Sequence, residues 1–177
     1  MHTHRYHVSH RILHAVMALL IPILFGLGLW MVDLGFYDPW YHKAPELHKS
    51  IGVLVFLLFL ARLLVLRLFN KPAAAAGVLG LVAKITHLSM YLLIATILTS
   101  GYLISTAKGQ GIMVFDWFEL PALPPLGEQQ ADIAGQIHLY AAWALMGLIG
   151  LHILAALKHA FVDKDTTMQR MWGRSSH

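Results

Sequence analysis

The chain has 177 residues, of which 58% are apolar and only 12% are charged, and it contains no cysteine. A chain this apolar belongs in a lipid bilayer, and the missing cysteines exclude disulfides, thiolate-bound metals and iron–sulfur clusters. The formal net charge is +4, but the basic residues cluster at the ends of apolar segments. That distribution indicates membrane topology and not a nucleic-acid partner.

Four apolar segments are long enough to cross a bilayer as α-helices. They cover approximately residues 12–32, 47–66, 85–104 and 137–157. Aromatic residues follow the first and third segments, where a membrane–water interface is expected. We therefore predict an all-α fold, an integral membrane four-helix bundle that forms a single domain over residues 1–177.

The orientation of the bundle follows from its lysines and arginines. The loop after the second span carries Arg67, Lys71 and Lys84 without an acid, whereas the loop between spans three and four carries four acids against Lys108 alone. Loops rich in lysine and arginine stay on the cytoplasmic side. We expect both chain termini in the cytoplasm and the longer loops, which follow spans one and three, on the outer face.

Four of the five histidines inside these spans form two pairs, each pair at one depth. His138 and His152 are fourteen residues apart in span four, which on an α-helix is about 21 Å along the axis and nearly the same face. His48 begins span two near the outer edge, level with His138, and His14 lies early in span one near the inner edge, level with His152. Ionisable residues inside a span usually mark function. Two level histidine pairs are the ligands that two bis-histidine haem irons need.

Two further histidines lie toward the inner edge. His87 is in span three near the depth of His14, and His159 follows His152 by seven residues. Neither has a counterpart at the outer edge, so the pattern does not predict a third haem. Each is a candidate for an alternative inner ligand, for a contact to a haem propionate or a quinone head group, or for a packing residue.

Two cations lie at the depths of the histidine pairs. Arg62 follows His48 by fourteen residues and is therefore level with the inner pair. Its bidentate donors suit a propionate, and snorkelling toward the inner head groups is the alternative. Lys49 lies directly after His48 and, together with Lys43, is a candidate to contact the outer propionates or to attract an anion. A solvated interfacial lysine is the alternative there.

Small residues are expected where a porphyrin would meet a helix backbone. A count of fourteen residues outward from His14 reaches Gly28, and the same count from His87 reaches Gly101. Both glycines should therefore lie level with the outer histidine pair. Ordinary small-residue packing between membrane helices explains the same pattern, so the glycines favour the haem interpretation without requiring it.

The layout resembles the prokaryotic cytochrome b561 family of four-span dihaem membrane cytochromes over essentially the whole chain. The segments that carry the resemblance are W-Y-H-K-A-P-E-L-H-K-S-I-G (Trp40–Gly52), S-G-Y-L-I-S-T-A (Ser100–Ala107) and A-L-K-H-x-F-x-D-K-D near the C-terminus. The resemblance is closest to the branch encoded beside periplasmic isoprenoid-binding proteins. In that family spans one and two each give one haem ligand and span four gives two. Carried over to this chain, the family ligands are His14, His48, His138 and His152.

The resemblance implies two non-covalent haem b groups, quinone as substrate and a bacterial inner membrane. The expected function is that of an oxidoreductase that transfers electrons between the quinone pool and an outer-face donor or acceptor, with superoxide-to-quinone transfer as one form. A periplasmic electron-transfer or isoprenoid-binding protein is the implied partner. A haem-bearing anchor subunit of a larger dehydrogenase is the alternative. A histidine-lined metal transporter is disfavoured because the spans lack carboxylates.

Overall fold

The computed structural model describes residues 6–70, 77–165 and 167–172. Lys71, one of the cations used to orient the chain, lies outside these residues. The elements in chain order are four long helices, one hairpin and a short terminal helix: α1 (Val8–Val32), α2 (Lys43–Leu68), α3 (Gly77–Thr106), β1 (Ile112–Val114), β2 (Phe118–Leu120), α4 (Gln130–Phe161) and α5 (Thr167–Trp172).

Each of the four long helices is long and apolar enough to cross a membrane. The predicted integral membrane four-helix bundle is therefore confirmed. The helices run past the predicted spans: α4 continues to Phe161, with Lys158 and His159 in its last turn. The reason is that backbone hydrogen bonding continues into the interface after the apolar residues end, so composition marks the hydrocarbon region and not the helix ends.

The helices pack as two hairpins. α1 lies against α2 and α3 lies against α4, and a smaller α2–α3 contact joins the hairpins. The buried core contains residues from all four helices: Met17, Val55, Phe59, Ile94 and Leu145. Leu145 is seven residues from both His138 and His152. The core therefore fills the middle of the bundle and separates the two histidine levels.

A short β-hairpin, absent from the all-α prediction, closes one end of the bundle. β1 and β2 pair antiparallel, with Val114 opposite Phe118. Three residues, 115–117, connect the strands, and Phe115 and Asp116 among them have φ of 48° and 59°, the left-handed conformation that lets a tight turn match the strand twist. The backbone N–H of Phe115 donates to Ser50 Oγ at 3.0 Å, which fixes the hairpin on α2.

Following the predicted orientation, we call the end of the bundle with this hairpin the outer end, and the end where α1 begins and α4 stops the inner end. At the outer end the Tyr102 hydroxyl donates to the Pro121 carbonyl at 2.9 Å and accepts from the Leu123 N–H at 2.9 Å. At the inner end Arg11 Nε donates to the Met171 carbonyl at 2.6 Å. The second contact joins the start of α1 to α5.

Candidate cofactor site

Two histidine pairs lie inside the bundle, and their geometries match. The ring centres of His48 and His138 are 6.3 Å apart with an interplanar angle of 64° at the outer end. Those of His14 and His152 are also 6.3 Å apart at 64°, at the inner end. Two imidazoles on opposite sides of one metal ion, each nitrogen about 2.0 Å from it, have ring centres roughly 6 Å apart. Both pairs therefore fit a shared iron.

The outer rings lie directly against helix backbones. A Cβ added at Gly28 of α1 would come 3.2 Å from His48 Cε1, and a Cβ added at Gly101 of α3 would come 3.0 Å from His138 Cε1. Both distances are tighter than ordinary contacts between carbon atoms. The predicted placement of the two glycines level with the outer pair is confirmed. Because glycine has no side chain, each imidazole ring can lie directly against the helix backbone.

His138 also makes hydrogen bonds that the sequence did not reveal. Its Nδ1 lies 2.9 Å from the Ile97 carbonyl oxygen and 3.3 Å from Ser100 Oγ. A carbonyl only accepts, so Nδ1 carries the ring hydrogen and Nε2 keeps the lone pair that binds a metal. By contrast, Nδ1 of His48 is buried and has no hydrogen-bond partner among the described residues.

The inner pair has a third histidine beside it. The His87 ring centre is 5.4 Å from that of His152, with an interplanar angle of 69°. His87 is thus nearer to His152 than His14 is, but its separation does not repeat the 6.3 Å of the two matched pairs. The structure therefore brings His14, His87 and His152 into one inner cluster on three different helices.

Arg62 lies at the inner end of the bundle, as its spacing of fourteen residues from His48 predicts. Its Nε donates to the Tyr91 hydroxyl at 2.7 Å and its Nη1 donates to the His10 carbonyl at 3.4 Å. His10 is one helical turn before His14. No aspartate or glutamate of the described residues forms an ion pair with this guanidinium. Tyr91 was not found from the sequence, because its contact with Arg62 joins two helices.

The outer lysines occupy the predicted end of α2. Lys49 is half-buried and Lys43 is exposed. Neither forms a salt bridge within the ranges that the structure describes. Their positive charges are therefore available to an anion at the outer end.

His159 lies in a polar cluster on the inner surface. Its Nδ1 is 2.7 Å from Asp165 Oδ2 and 3.2 Å from Asp163 Oδ2. Hydrogen bonds from the Thr167 backbone N–H and then its side chain, followed by the contact with His159, hold the pKa of the Asp165 carboxyl below its usual value. The sequence analysis gave these acids no role of their own, because they lie beyond the last predicted span, and a turn after Phe161 brings them back to α4.

An apolar membrane bundle with paired interior histidines is the architecture of a b-type membrane cytochrome. A family model described as prokaryotic cytochrome b561 matches residues 5–174. The chain belongs to this family. Membership implies b-type haem and electron transport, and with four membrane-spanning helices it identifies a multi-pass protein of the bacterial inner membrane.

Alignments with similar proteins cover most of the chain. Cytochrome b561 homolog 2 of Escherichia coli (strain K12) is 46% identical over 176 residues, which are 97% of this chain and 93% of that protein. A probable superoxide oxidase CybB of Yersinia pestis is 31% identical over 143 residues, 76% of each chain. Cytochrome b561 homolog 1 of Escherichia coli (strain K12) is 25% identical over 139 residues, 76% of this chain and 77% of that protein.

Proposed function

We propose that the protein binds two haem b groups and transfers electrons across the inner membrane between the quinone pool and an outer-face donor or acceptor. His48 and His138 would hold the outer haem, and His14 and His152 the inner one. The observation that carries this proposal is the repeated geometry of the two pairs, 6.3 Å and 64° at both ends. When bound, each haem supplies an iron that takes up and releases one electron.

The inner assignment favours His14 over His87 as the partner of His152. The His14–His152 geometry repeats that of the outer pair, whereas His87 lies at 5.4 Å from His152. We assign His87 to the surroundings of the inner pair, where it contacts the His152 ring and orients it. This leaves His87 as a candidate contact for a propionate or a quinone head group.

Arg62 would pair a propionate of the inner haem. A guanidinium inside a span without an acidic partner is costly, and a carboxylate compensates that cost. The Tyr91 hydroxyl accepts from Arg62 Nε, so its own hydrogen remains to be donated to the same carboxylate. At the outer end Lys49 would serve the corresponding propionates.

We place the exchange of electrons and protons with quinone at the inner end. His159 is held through Nδ1 by Asp165 at 2.7 Å, which leaves Nε2 as the atom that takes up or releases a proton. This arrangement supports His159, together with His87, as the group that handles quinone protons. The positive-inside distribution of charge puts this end in the cytoplasm.

The test is haem content by pyridine haemochrome on the purified full chain, followed by reduction of a short-chain quinone. We expect two haems per chain, both low-spin and six-coordinate, and loss of one in a His138→Ala variant. His42→Ala is the matched control, since His42 is an exposed histidine at the same, outer end of the bundle, directly before α2. A wild-type protein with one haem or none would overturn the proposal.

A second candidate function is the oxidation of superoxide with quinone as acceptor. Two observations favour it: a relative with 31% identity is named a probable superoxide oxidase, and Lys43 and Lys49 lie at the outer end without an ion pair among the described residues. Cations there attract an anion and raise its encounter rate. Quinone reduction driven by a superoxide source should fall in Lys49→Gln and become less dependent on ionic strength. Unchanged rates and salt dependence would exclude the steering role.

The anchor alternative predicts different behaviour. A subunit that serves a larger dehydrogenase would copurify with that enzyme and would not reduce quinone alone. A periplasmic isoprenoid-binding or electron-transfer partner would instead bind reversibly at the outer end. Purification of the chain from its own membrane at low salt, followed by the quinone assay with and without copurifying proteins, separates these outcomes.

A further inference from the structure

The two outer histidines have unequal surroundings. Each ring lies against a glycine, His48 on Gly28 and His138 on Gly101, and in both the Cε1–Nδ1 edge faces the glycine. Yet only His138 has acceptors for its Nδ1 hydrogen, the Ile97 carbonyl at 2.9 Å and Ser100 Oγ at 3.3 Å. Nδ1 of His48 is buried without such a partner in the described part of the chain.

The Ser100 hydroxyl lies within hydrogen-bond distance of two backbone carbonyls as well as His138. Its oxygen lies 2.7 Å from the Thr96 carbonyl and 3.1 Å from the Ile97 carbonyl. The single hydroxyl hydrogen takes the shorter contact, to Thr96, so a lone pair of Oγ remains to share the His138 Nδ1 hydrogen with Ile97. Ser100 is only 4% exposed, so neither lipid nor water competes for this hydrogen bond.

We infer that Ser100 is a positioning residue for His138 and makes it the stronger, less exchangeable ligand of the outer pair. Together with the Ile97 carbonyl it holds the Nδ1 hydrogen, fixes the tautomer and leaves Nε2 as the ligating atom. His48, whose Nδ1 has no acceptor among the described residues, is the weaker ligand. The sequence is consistent with this asymmetry: the residue before Gly101 is Ser100, whereas the residue before Gly28 is Leu27.

The physical consequence concerns ligand strength. An acceptor on the outer nitrogen of a ligating imidazole raises its basicity and fixes its orientation, and loss of such a partner costs about tenfold or more in metal affinity. Removal of the Ser100 hydroxyl should therefore weaken His138 as a donor. We expect the outer midpoint potential to rise, because the oxidised iron is the state that the stronger donor stabilises. The inference rests on the proposed function, since it needs an outer haem.

The experiment compares two isosteric variants, Ser100→Thr and Ser100→Val, which have the same shape and differ only in the hydroxyl. Ser105→Ala is the matched control, because Ser105 donates to the Gly101 carbonyl at 3.0 Å and is the analogous helix-bound serine one turn further along α3. The readouts are the ferric low-spin EPR signals, the two midpoint potentials and the rate at which cyanide replaces an axial ligand. The signal that disappears in His138→Ala identifies the outer haem.

We expect Ser100→Thr and Ser105→Ala to match the wild type in all three readouts. In Ser100→Val the outer EPR signal should shift, the outer potential should rise and cyanide exchange should accelerate about tenfold, while the inner signal stays unchanged. Equal spectra, potentials and exchange rates in Ser100→Val and Ser100→Thr would overturn the inference. If both variants lose haem, Ser100→Ala replaces them in the comparison with Ser105→Ala under the same criteria. A wild type without an outer haem would instead overturn the proposed function, so the two failures are distinguishable.

Discussion

The outer and inner histidine pairs have the same ring geometry but very different surroundings. At the outer end two glycines lie against the rings, and a hairpin bonded to Ser50 closes the bundle. At the inner end a third histidine and a guanidinium lie beside the pair. We therefore propose that the two ends have different roles: the outer end would hold its haem ligands close against helix backbones, and the inner end would supply charge and proton-exchanging groups.

The largest effects should come from the ligands of α4. His138→Ala should remove the outer haem and His152→Ala the inner one, so that each variant retains about half of the wild-type haem, since each iron needs its axial imidazoles. Haem content per chain and the two EPR signals measure this outcome. Loss of the same signal in both variants would contradict the assignment of separate pairs.

The next effect tests why the outer rings need glycine. Gly101→Ala would place a Cβ 3.0 Å from His138 Cε1, so the ring or the helix must move, at a cost of about 1–3 kcal/mol. We expect a lower melting temperature and a reduced occupancy of the outer haem. Gly147→Ala is the control, because a Cβ there meets nothing within 4 Å. Equal losses in both variants would point to a general helix effect.

The inner cation should control the inner potential. Arg62→Leu removes the charge that we assign to a propionate, and loss of one member of a buried pair costs several kcal/mol. The inner midpoint potential should fall, because the positive charge favours the reduced iron. Arg62→Lys should restore part of the shift without the bidentate geometry. An unchanged inner potential at full haem occupancy in Arg62→Leu would mean that Arg62 only snorkels.

Variants of His87 and His14 test which of these two histidines pairs with His152 as a haem ligand. His87→Ala should keep a six-coordinate inner haem with a shifted EPR signal, because His87 contacts the His152 ring without repeating the pair geometry. His14→Ala should lose the low-spin inner signal. The reverse result, with His87→Ala losing the signal and His14→Ala keeping it, would exchange the two assignments.

The four-helix bundle and the depths of its histidine pairs could be predicted from the sequence, because both follow from local patterns in the chain. Apolar composition marks the spans, and the helical repeat converts the spacing of His138 and His152 into depth. The sequence did not predict the hairpin. It also did not predict the contacts that Ser100, Tyr91 and Asp165 make with other side chains. Each of these depends on contacts between elements that are distant in sequence or joined by a turn, where no periodic pattern exists to indicate them.

The smallest effect concerns the inner surface. Hydrogen bonds to Asp165, with the Thr167 N–H first among them, lower the pKa of its carboxyl. A lowered folded-state pKa stabilises the segment above the unfolded-state pKa, and this contribution disappears as the pH falls through the folded-state pKa. The Asp165 side chain is 39% exposed, and solvent screens its interactions, so the effect on global stability should be small.

We therefore expect the consequence of Asp165→Asn in local dynamics and in proton exchange at His159. Hydrogen exchange at the amides of α5 should accelerate at neutral pH, because the neutral amide is a weaker acceptor for the Thr167 N–H. Quinone reduction should slow, because the neutral amide would hold the His159 Nδ1–H less firmly than the carboxylate does. Asp38→Asn is the control, because its carboxylate likewise accepts a backbone N–H two residues later, from Trp40 at 2.8 Å, but lies in the loop between α1 and α2 at the outer end. If Asp165→Asn leaves the rate of quinone reduction unchanged, His159 takes no part in the proton chemistry, and the inner end would then rely on His87 alone.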